Sequence, residues 1–361
     1  MAASGRVDVT VVDTDFHVNE DMDKLVNYLV DPYRTVYERS YGDFNPNPYP
    51  QAGWFAPDRM GKQKPRTVQT EADVREAMER FELDYAIVQP SASMHLGAHH
   101  HDEFATALAH AYNEYALQEV LAPEDGIYGS ILVAPQRPET AAAEIRSRRD
   151  EPGFSSVAIP SGGVHPPLGN RRYHPIYEAA SEAGLPVTMH NAVTMLMMTF
   201  PFQHRGYSRN LTAHATLHPM QHMSHMADMI VQGVPVEFPD LKIVMQEAGV
   251  GWIPFMMRRL DNEYLNHRSD APTLEQMPSD YVRDQFYFST QPFEAVKETA
   301  YVEAMVELVG TDTLMFATDY PHFDFDNTAD VMGRLNQVPD EEREKLAGLT
   351  ALSIFDVDHD E

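Results

Sequence analysis

Eight short apolar segments, rich in β-branched residues, recur along the chain with amphipathic stretches between them. They lie at residues 8–15, 84–90, 126–135, 155–161, 185–191, 241–247, 286–290 and 313–319. Each is almost continuously apolar rather than alternating, as in parallel strands that are buried on both faces. Helical patterns fall between most of them, at residues 71–81, 104–119, 138–149, 174–183, 220–238, 252–265 and 295–309. This order predicts an α/β fold in which the strands close into a single (β/α)8 TIM barrel.

The length of the chain bounds its domain organisation. With 361 residues, it exceeds the roughly 250 residues of a simple barrel. We therefore predict a single domain over residues 1–361, with a barrel core at about 8–340 and an acidic C-terminal tail. A stretch at about 30–70, rich in Pro, Tyr, Gly and Asn, is a long insertion after the first strand that either covers the substrate or forms a surface loop. No glycine-rich phosphate-binding motif follows a predicted strand, so a nucleotide-binding sheet has no support.

Composition excludes several classes of function. The chain has no cysteine, which rules out disulfides, thiolate metal sites and a cysteine nucleophile. Asp and Glu total 55 against 27 Lys and Arg, for a formal net charge of −28, and such a surface repels nucleic acid and anionic membranes. Because the acids are spread along the chain, we interpret them as an adaptation to high salt, which screens charges. The absence of a long apolar run and of a secretion signal predicts a cytoplasmic protein without a membrane partner.

Metal-binding side chains stand at the ends of three predicted strands. The first strand runs into Asp15 and His17, which are two residues apart and therefore point to the same side. The fifth strand ends at His190 and the eighth at Asp319. Because the carboxyl ends of barrel strands form the catalytic rim, these side chains should meet there. Two imidazoles and two carboxylates suit one borderline or hard divalent ion, and Asp319 could also act as a general base.

Each of these residues also has a purely structural interpretation. A histidine at a strand end is more often a hydrogen-bonded structural residue than a ligand, and an aspartate before a helix usually caps it. Packing alone does not explain why three separate strands each end in apolar residues followed by a ligand. The joint pattern therefore favours a metal site.

Longer phrases of the sequence carry a family resemblance. The Asp-x-Asp-x-His start at residues 13–17, MHN at 189–191, QEAGVGWIPFMMRRLDNEY at 246–264 and LMFATDYPHFD at 314–324 together resemble the amidohydrolase-related metal enzymes. That family includes aminocarboxymuconate semialdehyde decarboxylase and γ-resorcylate decarboxylase. The resemblance implies a (β/α)8 fold and one zinc or manganese ion held by Asp15, His17, His190 and Asp319.

The chain departs from this family at two strand ends. Many members begin with His-x-His, whereas this chain has Asp15 and His17, which shifts the expected preference from zinc toward manganese. Many members also carry a histidine at the end of strand six, where this chain has Gln246 and Glu247. Glu247 is interpreted either as a substituted catalytic acid or base, or as a carboxylate that caps the following turn.

A row of histidines follows the fifth strand at helical spacing, and the spacing puts His214, His218, His222 and His225 on one face. His218 precedes Pro219, and this pair resembles a His-Pro phrase of related enzymes, which makes His218 the candidate for reaching the substrate. The alternative is a packed helix face, which we prefer for His222 and His225.

The leading functional hypothesis is a metal-dependent hydrolase that attacks a small carboxylate-bearing or cyclic substrate through a metal-activated water. The alternative is a metal-dependent non-oxidative decarboxylase, in which an acid protonates the carbon that loses CO₂. A third hypothesis is a catalytically inactive barrel, supported only by the missing family histidines. The expected partner is a small-molecule substrate, and a homo-oligomer formed through the outer helices is compatible with the sequence.

Overall fold

The core of the protein is one parallel sheet whose strands pair in sequence order. The computed structural model describes residues 9–39, 66–190, 209–294 and 299–358. The eight strands are β1 (Val12–Val18), β2 (Tyr85–Pro90), β3 (Ile127–Leu132), β4 (Phe154–Pro160), β5 (Val187–His190), β6 (Ile243–Met245), β7 (Phe286–Ser289) and β8 (Leu314–Met315). Each overlaps a predicted segment, and nearly every strand residue is buried. Continuous apolar runs are thus explained by burial on both faces of the sheet.

Backbone hydrogen bonds close this sheet into a ring. The amide of Thr14 donates to the carbonyl oxygen of Phe316 at 3.1 Å, and the amide of Asp319 donates to the carbonyl oxygen of Asp15 at 2.9 Å. These bonds join β1 to the chain that follows β8. The predicted (β/α)8 barrel is therefore confirmed.

Helices connect the successive strands. Among the described residues they are α1 (Met22–Leu25), α2 (Tyr33–Arg39), α3 (Glu71–Phe81), α4 (Asp102–Glu119), α5 (Pro138–Arg148), α6 (His174–Ala183), α7 (Asn210–Val231), α8 (Val234–Glu237), α9 (Ile253–Asn266), α10 (Pro278–Gln285), α11 (Thr299–Val309), α12 (Thr328–Arg334), α13 (Asp340–Glu344) and α14 (Thr350–Leu352). Local sequence sets some of these boundaries. For example, α3 begins after Thr70 because Thr70 and Asp73 form a reciprocal capping box.

The helix before β6 differs from its prediction at residues 220–238. It begins well before Met220, at Asn210, and continues through Pro219. Proline lacks an amide hydrogen and usually marks a helix start, which explains why the sequence pattern placed the boundary there. At the other end Gly233 adopts a left-handed φ of 82° and separates α7 from α8. As a result His214 and His218 lie on one continuous helix.

Residues 340–357 are not the acidic tail that the sequence predicted at the end of the chain. Residues 340–352 form α13, a π-helical turn (Lys345–Leu349) and α14. Ile354, Phe355 and Val357 are buried against apolar residues from the first halves of several strands, including Val12 of β1. The segment therefore covers the end of the barrel opposite to the strand carboxyl ends. Its acidic side chains hid this role in the sequence, because they alternate with the few apolar residues that face inward.

Most of the predicted insertion at about 30–70 lies outside the described residues, which stop at Arg39 and resume at Arg66. Whether it covers a substrate stays a prediction. Among the described helices, none combines the length and the apolar character needed to cross a bilayer.

Candidate metal centre

Four side chains from three parts of the barrel meet at the carboxyl ends of the strands. Asp15 and His17 lie within β1, which continues to Val18 instead of ending at residue 15 as predicted. His190 is the last residue of β5, and Asp319 follows β8. All four side chains are buried, and one potential ligand atom from each lies within 4.8 Å of the others. The structure therefore brings the four predicted ligands together.

The distances between these atoms fit a common centre. Nε2 of His17 lies 3.1 Å from Nε2 of His190, 3.4 Å from Oδ1 of Asp15 and 3.2 Å from Oδ1 of Asp319. Nε2 of His190 lies 3.7 Å from Oδ1 of Asp15. Donor atoms about 2.1 Å from a tetrahedral ion are roughly 3.4 Å apart. The cluster therefore has the size that four ligands of one ion require.

A backbone contact fixes which nitrogen of His17 faces this cluster as a ligand. Nδ1 of His17 lies 3.0 Å from the carbonyl oxygen of Pro90. Because a carbonyl oxygen only accepts, Nδ1 carries the proton of the neutral ring and Nε2 presents its lone pair to the cluster. Metal-ligating histidines are commonly held by such a hydrogen bond from the second ring nitrogen.

The carboxylates of the cluster have unused acceptor atoms. Both oxygens of Asp15 and Oδ2 of Asp319 are buried and accept no hydrogen bond within the described part of the chain. Burial raises the pKa of Asp15 above its usual range, although contact with His17 opposes the shift. Buried carboxylates without donors are costly unless a cation compensates them. These unsatisfied oxygens are the atoms that a divalent ion would bind.

The electrostatics of His17 lead to the same conclusion. Burial favours the neutral ring, but the carboxylates of Asp15 and Asp319 close to Nε2 outweigh it and raise the pKa of His17 to about 10. The two carboxylates thus stabilise positive charge at this point of the barrel. A divalent cation carries a larger positive charge, so the same field favours it more strongly. The donor set therefore fits one divalent ion.

His322 belongs to this centre, although it is not among the ligands predicted from the sequence. Its Nδ1 lies 2.7 Å from Oδ1 of Asp319, and its ring centroid is 4.1 Å from that of His17. Burial opposes ionisation of Asp319, but the adjacent rings of His322 and His17 prevail and lower the pKa of this carboxyl below its usual range. The only sequence signal for His322 was its place three residues after Asp319.

Glu247 stands beside the cluster, just beyond β6. Its Oε2 lies 3.2 Å from Nε2 of His190, and its Oε1 lies 3.5 Å from Nδ1 of His218. Glu247 and Asp319 both have left-handed backbone angles, with φ of 53° and 59°, a conformation that non-glycine residues adopt at a cost and mainly at functional sites. Burial, and then the carboxylates of Asp319, Asp324 and Asp15, raise the pKa of Glu247 well above its usual range. Glu247 is thus a buried carboxyl group that contacts the cluster, and its surroundings favour the protonated form.

The histidine row of α7 divides into two groups. His218 lies against Glu247, and His214 contacts Asp324, with 3.4 Å between Nε2 of His214 and Oδ2 of Asp324. By contrast, His222 contacts the carbonyl oxygen of Gln246, and Nδ1 of His225 accepts a hydrogen bond from the backbone amide of Leu168. The structural interpretation of these last two agrees with their contacts.

The sequence matches a known protein family and is similar to characterised enzymes. The family model described as Amidohydrolase matches residues 12–357, which is the barrel from the start of β1 to the last buried residue of the C-terminal segment. A γ-resorcylate decarboxylase from Polaromonas sp. (strain JS666) is 22% identical over 261 residues, which cover 70% of this chain and 77% of that protein.

Solved structures share the fold over nearly the whole chain. The 5-carboxyvanillate decarboxylase of Sphingomonas paucimobilis superposes with a TM-score of 0.71 at 23% identity and covers 97% of this chain and 100% of that one. A dihydroxybenzoic acid decarboxylase from Polaromonas sp. JS666, with bound manganese and the inhibitor 2-nitroresorcinol, gives a TM-score of 0.69 at 17% identity, with 96% of each chain covered. At these identities the likeness shows a common fold.

Proposed function

The chain belongs to the amidohydrolase family, and from that premise we propose that it is a decarboxylase, dependent on one divalent metal ion, that releases CO₂ from a small aromatic carboxylate. From the sequence alone, hydrolysis is the leading hypothesis and decarboxylation the alternative. The names of the relatives support the second hypothesis, since the three proteins compared above are decarboxylases. Manganese in one of them supports the choice of metal, as does the carboxylate in place of the first family histidine.

The observation that carries the proposal is the position of Glu247, a buried carboxyl group whose Oε2 lies 3.2 Å from Nε2 of His190. Decarboxylation requires an acid that delivers a proton to the carbon from which CO₂ leaves, whereas hydrolysis by activated water requires a base. Glu247 is buried, faces the cluster, and has a pKa raised well above its usual range by burial and by Asp319, Asp324 and Asp15. Such an environment favours the protonated carboxyl group, which is the form that can donate a proton.

The residues of the centre have different roles in the proposed reaction. Asp15, His17, His190 and Asp319 would hold the metal ion, and His322 orients Asp319 through its hydrogen bond. When bound, a divalent ion supplies Lewis-acid polarisation of substrate oxygens. Because the ligands are buried on all sides by the barrel, they are held rigidly in place.

The step that we assign to Glu247 balances in atoms and electrons. Glu247 gives its carboxyl proton to the ring carbon that bears the substrate carboxylate, and a π pair of the ring forms the new C–H bond. The bond from that carbon to the carboxylate then breaks, its electron pair returns to the ring, and CO₂ leaves. Glu247 remains as a carboxylate and regains a proton from solvent before the next turnover.

Hydrolysis remains the second candidate because of one feature of Asp319. His322 and His17 keep this carboxyl ionised against the effect of burial, as a general base would require. The two functions predict different products from different substrates, so one experiment separates them.

The test uses the full chain loaded with Mn²⁺ and purified in high salt. It would be incubated with 2,6-dihydroxybenzoate and 5-carboxyvanillate, and CO₂ and the aromatic product would be quantified. In D₂O the product should carry one deuterium at the position of the lost carboxylate. Ester or lactone hydrolysis by the manganese-loaded protein, with no CO₂ from either acid, would instead establish the hydrolase.

A further inference from the structure

The protonation pattern of His218 is fixed by its surroundings. Its Nδ1 lies 2.9 Å from the backbone carbonyl oxygen of Glu247. A carbonyl oxygen has no proton to give, so Nδ1 must be the donor and Nε2 must be the nitrogen with the free lone pair. Burial, and then the nearby His214, lower the pKa of His218 to about 3. The ring is therefore neutral at physiological pH, and Nε2 can accept a hydrogen bond but cannot donate one.

This acceptor has no partner in the part of the chain that the structure describes. Nε2 of His218 is fully buried without a hydrogen bond, and the residue is only 4% exposed. Buried polar atoms nearly always have a partner, and an unpaired one usually marks a functional site or a bound molecule. What Nε2 requires is a group that carries a proton on oxygen or nitrogen.

The position of His218 places this requirement beside the metal centre. Glu247 bridges the two, because its Oε1 is 3.5 Å from Nδ1 of His218 while its Oε2 is 3.2 Å from Nε2 of His190. The charge of Asp319 also acts on the ring of His218. A molecule that touches both Glu247 and the metal ligands therefore lies within reach of this ring.

His222 lies one turn further along α7 and also has an unpaired ring nitrogen, but it is not next to the metal centre. Its Nε2 contacts the carbonyl oxygen of Gln246 at 2.6 Å, and its Nδ1 is also buried without a partner. However, His222 is completely buried, and no charge of the metal centre affects its ring. An unpaired nitrogen in that position belongs to the packing of α7 next to β6, whereas the ring of His218 lies against Glu247.

We propose that Nε2 of His218 accepts a hydrogen bond from a ring hydroxyl of the substrate and so determines specificity for hydroxylated aromatic carboxylates. This inference rests on the proposed function for the position of the substrate between Glu247 and the metal ligands. The carboxylate of the substrate cannot occupy this position, because an ionised carboxylate has no proton and its lone pairs repel that of Nε2. A methoxy group also has no proton to donate, so we expect His218 to favour binding of a phenol over binding of its methyl ether.

The experiment compares two ligands that cannot lose CO₂. Benzenesulfonate and 2-hydroxybenzenesulfonate carry the same anionic group and differ by one hydroxyl. Their dissociation constants would be measured by calorimetry for the Mn²⁺-loaded wild type, for His218→Phe and for the matched control His222→Phe. Metal content is measured in the same samples. Since turnover plays no part in the readout, failure of the proposed function and failure of this inference are distinguishable.

We expect the hydroxyl to tighten binding about tenfold or more in the wild type and in His222→Phe, and about twofold or less in His218→Phe. His218→Gln, whose side-chain oxygen is an acceptor, should recover part of the preference and also serves if His218→Phe does not fold. The inference is overturned if the hydroxyl gives no advantage in the wild type, if neither sulfonate binds, or if the advantage survives in His218→Phe.

Discussion

Replacing Asp15 by asparagine should weaken metal binding about a thousandfold without unfolding the barrel. The substitution keeps the size of a side chain that is fully buried in β1 but removes the negative charge from two oxygens that accept no hydrogen bond in the described structure. Because no donor loses its partner, the change acts on the affinity for a cation rather than on the packing of the strand.

The magnitude follows from the effect of the carboxylates on His17. Its pKa rises from 6.5 to about 10, which corresponds to roughly 5 kcal/mol of stabilisation for one positive charge. Asp15 and Asp319 share this effect, so Asp15 contributes roughly 2–3 kcal/mol per unit charge. A doubly charged ion at the same point experiences about twice that amount, or roughly 5 kcal/mol, which is three to four powers of ten in Kd. The amide oxygen that remains can still act as a weak ligand, and we therefore expect about a thousandfold.

The affinity for Mn²⁺ would be measured by titration against a competing chelator, with circular dichroism as a check on folding. Asp324→Asn is the matched control. It removes a carboxylate that acts on the same centre through its charge but that pairs with His214 rather than facing the four ligands. We expect less than about a tenfold loss there. Equal losses in the two variants would refute ligation by Asp15 and leave only a general effect of negative charge.

Four further predictions test other parts of the molecule. Glu247→Gln should abolish CO₂ release with unchanged manganese content, because the amide has no carboxyl proton to give; product and metal assays check this, and retained activity would remove Glu247 from the reaction. Phe355→Ala should lower the free energy of unfolding in urea by about 3–5 kcal/mol, because Phe355 is buried in the apolar cluster at the closed end of the barrel; a negligible change would contradict that packing role. In Glu144, hydrogen bonds with His110 and Arg148 outweigh burial and lower the pKa from 4.5 to about 2, so its stabilisation is present above about pH 4.5 and is lost as the pH falls toward 2. Glu144→Gln should therefore cost up to about 3 kcal/mol near pH 7 and progressively less below pH 4.5, by urea denaturation at a series of pH values. Finally, the net charge of −28 predicts that the melting temperature rises as KCl increases from about 0.1 M to 2 M, and a flat response would contradict adaptation to salt.

The strands and the candidate metal ligands of this protein follow from local sequence and from the direction of the strands. The eight strands were predictable because burial on both faces leaves a continuous apolar run that any window of a few residues reveals. The meeting of Asp15, His17, His190 and Asp319 was predictable for a different reason: parallel strands of one barrel all end at the same rim, so ligands at strand ends must converge. Neither inference required knowledge of a specific contact.

The features that sequence reasoning missed all depend on contacts between distant segments. The burial of Phe355 against the starts of the strands is one, since acidic neighbours conceal the apolar residues that face inward. The extension of α7 through Pro219 is another, because its packing tolerates a residue that ordinarily starts a helix.

By itself, the sequence determined the class of fold, the family and the kinds of metal ligand, since these follow from period, strand direction and side-chain chemistry. Only the tertiary structure decided that His322 pairs with Asp319, that Glu247 is buried between His190 and His218, and that Nε2 of His218 has no partner among the described residues. The physical reason is that a pKa or a tautomer depends on burial and on neighbours from other strands. Those neighbours become adjacent only when the barrel closes.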